Sequence, residues 1–199
     1  MKYPDFFNKV RTIKLKDNLS NFLGTFEDGI IEYNYTEIVK AAGHSCPTVA
    51  GAYLMCTKAL DKLYTNNLPV RGQIKLEFKN EITEGVTGVI SNVISHITGA
   101  TKETGFKGIG GKFVRHSLLE YNSDIKGLVK FTRIDNNEFV EVNYNPIVPP
   151  KPEMQMLMQK SFSGQASENE KKQFGELWQE RVKELLIDNF DNPEVVIFI

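Results

Sequence analysis

Apolar residues recur along the chain with two periods, and these divide it into elements. Ile74, Leu76 and Phe78 alternate with Gln73, Lys75 and Glu77, the signature of a strand with one buried face. Residues 30–35 read as a second strand after the Asp28-Gly29 turn, and residues 113–121 as a third. In the third, Val114, His116 and Leu118 share one face, so His116 is expected to point inward. Residues 127–135 and 138–144 pair as a β-hairpin across Asp135, Asn136 and Asn137. The terminal Val195-Val196-Ile197-Phe198-Ile199 is apolar enough to dock as a further strand.

Helical spacing governs most of the rest. Val49, Ala52, Tyr53, Cys56, Ala59, Leu60 and Leu63 place a helix over residues 47–64 with one apolar stripe. Val86, Val89, Ile90, Val93, Ile94 and Ile97 do the same for 86–97, with His96 at its C-terminal end. A short helix is expected over 36–42, a short helix or an arm packed on the body over 2–10, and a helical turn over 17–24 capped by Asp17. Beyond residue 145, Pro146, Pro149, Pro150 and Pro152 form a stiff connector. A Met-rich helix follows over 153–161, and then a long helix whose cap, Ser167, forms a capping box with Glu170. These elements give an α+β fold, with a mixed or antiparallel sheet packed against helices. Residues 1–145 are read as the core domain, and 146–199 as a connector and helical extension packed on it.

Composition narrows the function classes. The chain has 199 residues, 41% of them hydrophobic and 25% charged, with a net charge of −1. That balance makes no electrostatic case for nucleic acid or an anionic membrane surface. No apolar run is long enough for a transmembrane helix, and residues 1–5 lack the apolar core of a signal peptide, so the expected compartment is the cytoplasm. Cys46 and Cys56, the two cysteines, would lie about 15 Å apart along one helix, which excludes a disulfide between them. Cys56 falls on the apolar stripe and reads as core.

The chemistry gathers at Gly43-His44-Ser45-Cys46-Pro47. Gly43 suits a left-handed helix C-cap and Pro47 the first turn of the next helix, which puts Cys46 at the N-cap between them. There the free N–H groups and helix dipole favour a thiolate. His44, two residues earlier in the turn, can reach the same point, so thiolate and imidazole form half of a zinc-type shell. His96 and His116 are candidates for further ligands. The helix C-terminus is expected to raise the proton affinity of His96, which counts against it as a ligand. Gly105, Gly108, Gly110 and Gly111 sit among Lys102, Lys107 and Lys112. Their spacing matches neither a P-loop nor a dinucleotide fingerprint, so this stretch reads as a connecting loop.

The run Gly43-His44-Ser45-Cys46-Pro47, followed by a small-residue helix carrying Gly51 and Tyr53, resembles the H-G-H-x-C-P-G-x-x-x-G-Y signature of the E-type subunit family of formylmethanofuran dehydrogenase. Ile97-Thr98-Gly99-Ala100-Thr101 is similar to that family's L-T-G-C-T element. The resemblance spans roughly residues 30 to 145 and leaves the C-terminal helices outside it. It implies an α+β domain, a zinc-like metal at His44 and Cys46, and a homodimer. Ala42 stands where the family pattern has its first His, Thr48 where it has Gly, and Ala100 where it has Cys.

Three functions are compatible with these residues. One is a zinc protein, enzymatic or not, with His44 and Cys46 as core ligands and an open position. Another is a haem or small-molecule carrier that uses the Cys46-Pro47 thiolate, with the histidines and the Met-rich helix completing the pocket. The third is a metal-free enzyme with Cys46 as nucleophile and His44 as base.

Overall fold

A computed structural model describes residues 2–199. Its centre is a helix, α3 (Pro47–Leu63), flanked by helices on one side and a sheet on the other. The apolar stripe foreseen for α3 is only part of its buried surface. Ala50, Leu54 and Met55 are also fully enclosed, as expected of a helix covered all round. Cys56 is buried within it, and burial pushes its thiol pKa well up.

The main sheet has five strands: β3 (Ile74–Phe78), β4 (Leu119–Glu120), β5 (Val129–Arg133), β6 (Phe139–Tyr144) and β7 (Val196–Phe198). Their order is β4-β3-β5-β6-β7; the β3–β4 pair is parallel and the others antiparallel. Leu76, Phe78, Val129, Phe131 and Val142 from this sheet are wholly buried. A small antiparallel ribbon, β1 (Ile13–Lys16) with β2 (Ile30–Tyr33), stands apart. Helices α2 (Tyr35–Ala42) and α4 (Thr87–Thr98) pack on each other, and α4 lies along α3. The fold is therefore α+β. Among the described residues no helix is long and apolar enough to cross a membrane.

Local signals decide most element ends. Asp17 caps α1 (Asn18–Phe22) by accepting the Leu19 and Ser20 N–H groups. Asn34 and Glu37 form a capping box at the start of α2, and Gly43 ends it with φ 77°. The C-terminal segment supplies α5 (Pro152–Phe162) and α6 (Glu168–Lys183), the latter with the Ser167–Glu170 capping box and running on into a π turn, Glu184–Asp188. The last strand, β7, then pairs with β6.

The strand expected over 113–121 is corrected. Only Leu119–Glu120 is strand, because Phe113 (φ 62°) and Ser117 (φ 59°) take left-handed backbone conformations that no regular strand contains. The alternation breaks there. Arg115 turns inward (6% exposed), while His116 is half-exposed with Nδ1 3.0 Å from the Ser117 hydroxyl.

Candidate functional site

Cys46 is the N-cap of α3, with extended backbone, and the Val49 N–H donates to its Sγ at 3.4 Å. The turn that carries it is held from three directions. The Tyr35 and Ser45 hydroxyls are 3.0 Å apart. Trp178 Nε1 and Gln179 Nε2, both from α6, donate to the Ser45 carbonyl at 3.1 Å. From β6, the Tyr144 hydroxyl donates to the Pro47 carbonyl at 2.8 Å. Gly51 makes that last contact possible: a Cβ there would stand 2.3 Å from the Tyr144 ring. The small residue noted in the sequence thus serves close packing against Tyr144.

His44 is exposed, with its Nδ1 3.1 Å from the Ala42 carbonyl. A carbonyl only accepts, so Nδ1 is the donor in this contact, which in the neutral ring leaves the Nε2 lone pair free. His44 lines a cleft of about 260 Å³ between α2 and α4, together with Ile38, Ala42, Val89, Asn92 and His96. The fold thus brings His44 and His96 to one cleft. Cys46 lies next door in the chain but is not part of that lining, and neither is His116. Ala42, where the family pattern has a histidine, is on the cleft wall. Ala100, where the pattern has cysteine, is fully buried.

His96 departs from expectation. Its pKa is lowered, because partial desolvation of the ring and the nearby Arg71 charge outweigh the opposing charge of Glu37. The ring packs edge-on against Tyr33 with centroids 5.4 Å apart. A neutral imidazole is a competent metal ligand or base, so the objection drawn from the helix end falls away.

As a metal site the donor set is incomplete. No group of three or more His, Cys, Asp or Glu side chains converges among the described residues. The two imidazoles on one cleft are two of the three protein ligands that an open catalytic shell takes, and the Cys46 thiol, next to them in the chain, is outside the cleft lining.

Sequence reasoning missed Arg71 and Arg115. Arg71 donates to Asp17 and to the carbonyls of His96 and Ile97, each at 3.1 Å, and so ties off the end of α4. Arg115 donates to Asp17 at 2.7 Å. The only cue was Asp17 itself, which the sequence marked as a cap and nothing more.

Comparison with known proteins gives one positive finding. The family model described as FmdE, molybdenum formylmethanofuran dehydrogenase operon, matches residues 41–192. No curated protein matches the chain. The match reaches far beyond residue 145, so α5 and α6 lie within the family's span, not outside it. With the motif turn and most of the fold inside that span, the chain belongs to the FmdE family of the formylmethanofuran dehydrogenase operon.

Proposed function

We propose that the cleft between α2 and α4 binds zinc, with His44 and His96 as imidazole ligands, Cys46 as a neighbouring thiolate, and a position left for water or a small substrate. The observation that carries this reading is that His44 and His96 line one cleft while the Ala42 carbonyl fixes His44 in the tautomer that leaves Nε2 free. A backbone carbonyl on the far ring nitrogen is the usual way proteins orient a metal-ligating histidine. Zinc in such an open shell would polarise a carbonyl or acidify a bound water. Ile38, Val89 and Val93 supply an apolar wall and Asn92 an amide at its edge. At about 260 Å³ the cleft is smaller than the roughly 300–1,000 Å³ of drug-sized sites, which suits a small substrate better than haem. The family resemblance extends the reading to a homodimer in the cytoplasm; native mass measurement would find twice the mass of the chain.

Elemental analysis of untagged protein tests the metal. Stoichiometric zinc is expected in the wild type and its loss in His44→Ala and in Cys46→Ser, a change that keeps an N-cap acceptor. Ala42→His, which adds an imidazole to the cleft wall, is expected to tighten zinc binding. A wild type that takes up no zinc on reconstitution, or zinc retained in both loss variants, would overturn the reading.

A further inference from the structure

A second depression, of about 390 Å³, adjoins the His44–His96 cleft and shares Asn92 and His96 with it. Its other walls include Arg71, Ser95, Thr101 and Arg115, and no carboxylate lines it. Behind it lies Asp17, which is 4% exposed and is shared by both guanidinium groups, Arg71 to Oδ2 and Arg115 to Oδ1. Two fixed positive charges thus face one buried negative charge, an excess of one.

A structural ion pair needs only one guanidinium for its carboxylate, and burying a second is costly unless something else partners it. Arg115 is nevertheless held in place tightly. Gly72, with φ +77°, leaves room for its guanidinium, because a Cβ there would lie 1.6 Å from Nη1. Among the described residues Arg115 makes a single side-chain hydrogen bond, to Asp17, and its buried Nε has no partner. The Asn92 amide, on the shared wall, makes no hydrogen bond among the described residues and is exposed.

We propose that this depression binds a small oxyanion group, phosphate or carboxylate, between Arg71 and Arg115, with the Asn92 amide as a neutral donor. Arginine forks match both oxyanions in geometry, and a charge-assisted bond in a partly buried site is among the stronger polar contacts. Where the zinc reading also holds, on which this extension rests, the substrate class is a small molecule with an acid group seated here and its reacting part in the His44–His96 cleft. The oxyanion site itself does not depend on metal.

Calorimetric titration of the metal-free full chain at low ionic strength, with inorganic phosphate in one series and acetate in another, tests it. Saturable binding with Kd on the order of 1 mM is expected for at least one anion, and the tighter one identifies the group. Arg71→Gln should weaken it about tenfold or more. Asn92→Glu, a change at an exposed position that puts a carboxylate on the rim, should abolish it; this variant decides the matter if Arg71→Gln does not fold. No saturable binding of either anion, or equal affinity in the wild type and Asn92→Glu, would overturn the proposal. Zinc uptake in the same preparations separates the two readings: anion binding without zinc sinks only the metal reading, and zinc without anion binding sinks only this one.

Discussion

At the scale of single residues, Asp17 does more than its capping role suggests. Burial raises its pKa, but the Ser20 N–H, the Arg115 charge and the Arg71 bond together outweigh burial and leave the pKa below the ordinary 3.8. Its native value therefore lies below its unfolded one. The stabilisation is fully present above about pH 4 and drains away as the pH falls through the native value. Asp17→Asn is expected to lower stability at neutral pH and to flatten the acid limb, read as urea midpoints between pH 7 and 3. His44, Cys46 and Cys56 could be located from sequence because caps and helical stripes are local properties. Arg115 could not. Its inward turn follows from left-handed backbone at Phe113 and Ser117, and neither residue type advertises φ > 0.

Among the elements, α6 has the role that the sequence left open. Its capping box was legible in Ser167 and Glu170, but its partner was not, since Trp178 and Gln179 meet Ser45 across 133 and 134 residues. Trp178→Phe keeps the ring and removes one donor to Ser45. The expected cost is about 1 kcal/mol in chemical denaturation, with weaker zinc uptake because the motif turn loosens; unchanged uptake would mean that Gln179 and Tyr144 suffice to hold the turn. The ribbon strand β1 was missed although Ile13 and Leu15 alternate with Lys14 and Lys16 in the buried–exposed pattern of a strand. Four residues were too few to stand out, although residues 30–35, which hold their pairing partner β2, read as a strand.

For the molecule as a whole, the fold class was legible because long periodic segments fix the number and kind of elements. Sheet order was not, since the parallel β3–β4 pair and the β6–β7 pair join residues far apart in sequence. Removing residues 190–199 would strip β7 from β6 and uncover the Val142 edge. Such a chain is expected to aggregate and to lose cooperative unfolding by circular dichroism, whereas the full chain should melt in one transition.

The grip of Trp178 and Gln179 on Ser45 has a consequence for biosynthesis. While the chain grows from the ribosome, residues 44–46 emerge long before the two side chains that hold their turn, so the turn is left without that hold for most of translation. On the proposed zinc reading, metal capture would be deferred until the late helix docks, and the nascent chain would offer no finished site to a competing ion.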